Sequence, residues 1–179
     1  MNNKTLIKEI KDTDFDPAWK MGDPKGYHVR RASRGILIND DKMALLNVTK
    51  FNYHKLPGGG IEGKETIEEG FIREVLEETG CHCEILDQPG IIMEWRDQFK
   101  LLQISYVFKA RVVGEVGHDA LTKKEKAEGF KLEWVPVDEA SKIISGDKPT
   151  NYEGKFIQTR DVSILNYIIN TLGTSQFSD

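Results

Sequence analysis

Three glutamates set the chemical question in this chain. Glu74, Glu77 and Glu78 stand at i, i+3 and i+4, a spacing that puts their carboxylates on one face of a helix. Carboxylates crowded in this way repel one another unless a cation sits among them. Oxygen donors suit a hard divalent ion such as Mg2+, which keeps several waters for substrate phosphates and a nucleophile. Arg73, in the same turn, could hold one carboxylate in orientation. The three belong to a run of seven glutamates (62, 65, 68, 69, 74, 77 and 78) opposed only by Lys64 and Arg73, so the segment carries five net negative charges and the rest of the chain about +1.

The glycines Gly58, Gly59, Gly60 and Gly63 precede this run. They satisfy G-x-G-x-x-G and nearly satisfy the phosphate-loop pattern, but Glu65 stands where that loop needs Ser or Thr, and the surrounding glutamates would repel phosphate from a helix start. A glycine hairpin leading into a solvated acidic helix would explain the charge run, though not why the carboxylates fall in register.

The elements that must position these residues are legible in outline. Thr66 with Glu69 fits a capping box and Gly80 a C-terminal glycine, which bounds a helix whose apolar stripe is Ile67, Phe71 and Val75 with Ile72 and Leu76; the acidic face is expected roughly opposite. His28 to Ile38 has strand character, with a hairpin partner over 42–48; Lys50 to His54 reads as a loop. Strands are expected at Cys83 to Leu86, Ile91 to Trp95, Leu101 to Val113 and Phe130 to Pro136. Residues 114 to 129 read as a charged loop or short helix, Asp138 to Ile144 as a short helix, and Ile164 to Leu172 as a C-terminal helix closed by Gly173. The expected fold is a mixed α/β layer structure: a loosely structured N-terminal arm (1–27) that adds an edge strand or covers the core, one domain (28–173), and a short tail (174–179).

Residues 59 to 81, GGIEGKETIEEGFIREVLEETGC, resemble the Nudix box G-x5-E-x7-R-E-U-x-E-E-x-G-U, in which U is a bulky aliphatic residue. Gly59, Glu65, Arg73, Glu74, Glu77, Glu78 and Gly80 match every fixed position, Val75 fills the first U, and Cys81 is a small substitute at the last. Leu56-Pro57-Gly58 extends the similarity. The resemblance, MutT-like in type, implies an α/β/α sandwich with a mixed β-sheet. It also implies hydrolysis of a pyrophosphate bond in a nucleoside diphosphate linked to another group, with Mg2+ or Mn2+ and an attacking water. By the same resemblance Glu74, Glu77 and Glu78 carry the metal-binding and base roles, with Glu74 either ligand or base. Arg73 would orient Glu74, Glu65 brace the loop–helix junction, and the Gly58 carbonyl add a ligand. A further carboxylate outside the box would be Glu128, with Glu125 as the alternative.

Arg30, Arg31 and Arg34 on the first long strand could meet phosphates, and His54 could contact substrate. Phe51, Tyr53 and Trp95 could stack on a base. The Cys81-His82-Cys83 triplet alternates faces on a strand and cannot wrap one ion. No proline stands about 16 residues beyond the box, as in the ADP-ribose-directed type, and no coenzyme-A-directed signature precedes it; nucleoside triphosphates or small nucleotide conjugates remain the default substrates.

With 179 residues, a net charge of −4, 39% hydrophobic residues and two cysteines, the chain is globular in composition. An acidic balance disfavours duplex nucleic acid and anionic membranes, no run reaches a membrane span, and the N-terminus lacks a signal-peptide core, so a reduced cytoplasmic setting is expected. A homodimer is compatible with the family resemblance. The alternatives are a non-catalytic Nudix nucleotide-binding or regulatory module and an isoprenoid diphosphate isomerase-like enzyme; the complete glutamate set weighs against the first, and the intact box with the placement of Cys81 and Cys83 against the second.

Overall fold

The structure, a computed structural model, describes residues 4–117 and 120–172. Eight strands form one mixed sheet: β1 (Leu6–Lys11), β2 (His28–Asn39), β3 (Lys42–Val48), β4 (Tyr53–Lys55), β5 (Gly58–Gly60), β6 (His82–Arg96), β7 (Leu101–Val113) and β8 (Phe130–Pro136). The main path runs β1-β6-β7-β2-β3-β4, with β5 beside β2 and β8 beside β3. The β1–β6 and β2–β7 pairs are parallel and the others antiparallel.

Helix α1 (Ile67–Thr79) covers one face, packing Ile67, Phe71 and Val75 onto Leu37, Ala44, Phe108 and Ala110; Phe71 stacks on Phe108 with centroids 4.8 Å apart. Helices α3 (Val137–Gly146) and α4 (Tyr152–Leu172) cover the other over Ile36, Ile38, Met43, Leu45, Ile92 and Val107. The short α2 (Lys123–Glu128) precedes β8. Period-2 alternation thus feeds two separate cores, giving the α/β/α sandwich with a mixed sheet that the resemblance implied.

Several expectations need correction. The N-terminal arm adds an edge strand as expected, β1 beside β6, but residues 4–27 are not loose: Ile10 is fully buried, and Trp19, Gly22 and Tyr27 all donate hydrogen bonds to the Asp97 carboxylate. The strands expected over 83–86 and 91–95 are one strand, β6, with register irregularities between Ile85 and Gly90 where Pro89 has no N–H to give to the ladder. The segment 50–54 is not all loop, since Tyr53 starts β4. Helix α4 starts at Tyr152, well before Ile164, because its middle turns carry the charged pair Arg160–Asp161, which is buried yet breaks the apolar pattern. Gly173 and the tail lie outside the described residues. Among the described residues no helix is long and apolar enough to cross a membrane.

The site is positioned by a split in the sheet. β2 and β3 pair only beside their turn, Ile38 with Met43 and Asn39 with Lys42. Beyond that, β2 turns to β5 and β3 to β4 and β8, and residues 53–60 run through the gap towards α1.

Candidate active site

Helix α1 begins with a reciprocal capping box, Glu69 N–H to Thr66 Oγ1 and Thr66 N–H to the Glu69 carboxylate, and ends at Gly80 with φ 69°, the left-handed geometry that glycine adopts without strain. Its buried face is Ile67, Gly70, Phe71, Glu74, Val75, Glu78 and Thr79, while Ile72 and Leu76 are each 39% exposed. The acidic face is therefore not opposite the core, as expected from a stripe including Ile72 and Leu76. Glu74 and Glu78 lie on the inward face itself, and burial pushes both carboxyls above their usual range, against the opposing pull of Lys55.

Glycines make room for them. A Cβ on Gly59 would overlap the Glu74 carboxylate, and one on Gly70 would crowd Glu65. Gly58 has φ 133°, and a Cβ there would strike the backbone of Ser33 and Arg34. Its N–H donates to Glu78 Oε2 at 2.8 Å.

Arg73 ties the motif together. It donates to both oxygens of Glu65 (3.1 and 2.9 Å), to Glu74 Oε1 and Glu77 Oε2 (both 3.0 Å) and to the Gly60 carbonyl (2.9 Å). Glu65 also accepts the Glu62 N–H at 2.7 Å, fixing the loop ahead of the helix. Glu77 is the outermost of the three glutamates, its side chain 41% exposed. Among the described residues no three acidic, histidine or cysteine side chains stand preassembled as a cation cage, since Arg73 draws Glu77 and one Glu74 oxygen to itself.

One cation is already in place. The buried ammonium of Lys55 lies 2.6 Å from Glu78 Oε1 and 3.1 Å from the Gly58 carbonyl oxygen. The hard oxygen donors of Glu78 and Gly58, with Glu74 beside them, therefore hold a positive charge in this structure, which fits the donor chemistry of a small divalent ion. Sequence reading missed Lys55; its signal was the Tyr-His-Lys alternation, which turns Tyr53 and Lys55 to one side and His54 to the other.

Gly58 and Lys55 open into a cleft lined also by Arg30, Arg34, Arg96, Gln103 and Arg160, together with Tyr53, Phe130, Glu125, Glu128 and Glu153. Arg30, Arg34, Tyr53, Glu128 and Glu125 thus come together as their candidate roles require. His54 does not: its Nδ1 lies 2.9 Å from Asp147 and its Nε2 3.5 Å from Glu133, so the ring ties β4 to the end of α3 and to β8. Arg31 points to the opposite face, over the Tyr106 ring. Phe51 packs beneath Lys50, and Trp95 meets Tyr27 edge-on in a separate groove, so neither lines the cleft. Cys81 is buried in the α1 core, and burial pushes the Cys83 thiol up to about 11, a poor setting for a nucleophile.

Arg96, Arg160, Glu94 and Gln103 also escaped sequence reading. The signal for the strand residues was weak: Glu94 and Arg96 share the face of Ile92, which marks them as buried charges. Nothing local announced that α4 would deliver Arg160 to the same place.

The NUDIX domain family matches residues 29–154. An ADP-ribose pyrophosphatase of Methanocaldococcus jannaschii is 34% identical over 116 residues, which span 61% of this chain and 66% of that protein, slightly less than two thirds of its length. Diphosphoinositol polyphosphate phosphohydrolase 3-alpha of Mus musculus is 27% identical over 133 residues, 73% of this chain and 77% of the relative. Among solved structures, a NUDIX hydrolase from Nitrosomonas europaea superposes with a TM-score of 0.58 at 19% identity, covering 80% of this chain and 90% of the other, a likeness of fold. With the matched region holding the capped helix, its inward glutamates and the glycine loop, the chain belongs to the NUDIX hydrolase family.

Proposed function

We propose that this protein hydrolyses a pyrophosphate bond in a nucleoside diphosphate linked to another group, with Mg2+ or Mn2+ held by Glu78, Glu74 and the Gly58 carbonyl and with Glu77 and Glu128 as outer contributors. The observation that carries the reading is the cation position defined by Glu78, Gly58 and the Lys55 ammonium, at the mouth of a cleft rich in guanidinium groups. The names of the relatives, an ADP-ribose pyrophosphatase and a diphosphoinositol polyphosphate phosphohydrolase, support the reaction class.

A divalent ion bound there would neutralise charge on the phosphate oxygens and lower the pKa of water. The chain's own groups do the rest. Arg30 binds oxygens of the diphosphate, and Tyr53 and Phe130 offer ring surface to the nucleoside side. Arg73 holds Glu74 through Oε1, which leaves Oε2 to accept the proton of the attacking water. Burial raises the Glu74 carboxyl, and a base whose pKa lies nearer the working pH transfers protons more efficiently. A divalent ion at Glu78 would take the place that the Lys55 ammonium holds there.

The test is hydrolysis of a panel (nucleoside triphosphates, ADP-ribose, dinucleoside polyphosphates and nucleotide sugars) with and without Mg2+, by the wild type and by Glu74→Gln and Glu78→Gln. Turnover that depends on the cation and falls by about 100-fold or more in each variant is expected. Undiminished turnover in both variants would overturn the site assignment, and no turnover on any substrate would favour a binding module.

A further inference from the structure

The cleft continues past Gly58 and Lys55 onto a floor that the hydrolytic reaction does not account for. Arg30, Gln103 and Glu94 are neighbours across β2, β7 and β6, Arg34 stands opposite Gly58 in the β2–β5 ladder, and α4 lowers Arg160 onto the same face. Arg34, Arg96 and Arg160 are 4%, 3% and 1% exposed.

Burying charge is tolerated when it is paired, and a network that serves only the fold should close on itself. This one does not. The fully buried carboxylates are Glu94 and Asp161, and both are already committed. Glu94 lies 2.7 Å from Arg96 Nη2 and 3.6 Å from Arg160 Nη1, and accepts from Gln103 at 2.6 Å. Asp161 accepts from Arg160 Nε at 2.6 Å and from the Leu56 N–H at 2.9 Å. Glu153 reaches Arg96 Nη1 only at 3.6 Å, from a half-exposed side chain. That leaves three buried guanidiniums against two buried carboxylates. Arg34 donates from Nε to the neutral Ser105 Oγ at 3.1 Å and has no carboxylate in ion-pair range among the described residues, and the buried Arg96 Nε has no hydrogen-bond partner. Burial and the neighbouring Arg160 push Arg34 down to about 9, while burial of Glu94 is outweighed by Arg96, Arg160 and Arg34, which hold it at about 2.

We propose that Arg34, Arg96 and Arg160 form a second anion subsite, which takes a phosphate group of the substrate other than the diphosphate being cleaved. The proposal rests on the hydrolase reading and deepens it: preferred substrates are nucleoside diphosphate derivatives that carry a further phosphomonoester, such as a phosphate on the nucleoside ribose. A phosphate supplies the missing negative charge and several acceptor oxygens for forked guanidinium donors. Spacing agrees. From Arg34, one strand from Gly58, to Glu94, three strands from it, the floor spans two strand spacings, roughly 10 Å at about 5 Å each, the reach of a diphosphate plus one more group.

The experiment uses substrate pairs that differ by one phosphomonoester: 2′-phospho-ADP-ribose and ADP-ribose, NADPH and NADH, coenzyme A and its 3′-dephospho form. kcat/KM is measured for both members at fixed Mg2+, in the wild type, Arg96→Gln and Arg96→Lys. The wild type should favour the phosphorylated member of at least one pair by tenfold or more. Arg96→Gln should collapse that ratio and Arg96→Lys restore part of it, whereas a structural role would lower both members alike. Binding of inorganic phosphate without divalent ions, followed calorimetrically, should weaken at least tenfold in Arg96→Gln. A wild type that does not discriminate within any pair overturns the proposal even if the variant fails to fold. If no pair is hydrolysed, the broader panel above decides the hydrolase reading, and phosphate binding decides the subsite on its own: unchanged affinity in a folded Arg96→Gln, or no binding by the wild type, overturns it.

Discussion

Replacing Lys55 by methionine tests the heart of the site, because it removes the ammonium while keeping a chain of similar length. Lys55 and Glu78 are both buried, with Nζ and Oε1 2.6 Å apart, so the variant leaves a carboxylate in the interior facing only the Gly58 N–H. Breaking one side of a buried pair costs about 3–5 kcal/mol. For a domain of this size each kcal/mol moves Tm by about 2–4 °C, so a fall on the order of 10 °C is expected. Glu78→Gln should cost a comparable amount by stranding the ammonium. The double variant Lys55→Met/Glu78→Gln should recover about 2 kcal/mol or more relative to the sum of the single effects. Mg2+ should rescue Lys55→Met more than the wild type, since it no longer has to displace a resident charge; a site filled at 100 times Kd contributes about 2.7 kcal/mol. The assay is thermal and urea unfolding of the four proteins with and without Mg2+. Single effects that add within about 0.5 kcal/mol would refute the buried pair. Equal Mg2+ shifts in wild type and Lys55→Met would show that the ammonium does not stand at the cation position.

Two adjacent glycines should separate activity from folding. In Gly59→Ala the new Cβ meets only the flexible end of Glu74, so stability should change by less than about 1 kcal/mol; the displaced carboxylate should lower kcat on the order of 100-fold. Gly58→Ala meets backbone at a positive φ and should unfold at least 5 °C lower, a difference visible by circular dichroism. His54 gives a pH prediction. Its hydrogen bond to Asp147, opposed by burial, raises it above its ordinary value in the folded state. A group with a raised folded pKa stabilises fully below its unfolded value, near 6.5, and that contribution is lost as pH rises through the folded value. Urea midpoints should therefore fall from pH 6 towards 9 in the wild type, and His54→Gln should flatten the decline; an unaltered slope would refute the assignment.

Helix α1 was readable because its determinants are local. Thr66, Glu69 and Gly80 specify where it starts and stops, and the i, i+3, i+4 spacing of Glu74, Glu77 and Glu78 follows from helix geometry wherever the helix packs. Strand β7 was readable by alternation, and β2 and β3 by strand character on either side of the turn at Asn39-Asp40-Asp41. Which glutamates turn inward was not, because apolarity added Ile72 and Leu76 to the stripe of Ile67, Phe71 and Val75, whereas Ile72 and Leu76 stay part-exposed and the glycines at 58–60 let Glu74 and Glu78 in beside the other three. His54 and Lys55 are neighbours in sequence, yet pleating sends one to Asp147 and the other to Glu78.

The sequence by itself determined the acidic helix, its caps, the glycine loop and hence the family. Only the tertiary structure decided what faces that helix: Lys55 at the cation position, and the floor of Arg34, Arg96 and Arg160 drawn from two strands and a distant helix. Backbone periodicity is a property of a few successive residues and can be read one segment at a time. A charge balance is a property of groups gathered from across the chain, and it exists only once the sheet has brought them together.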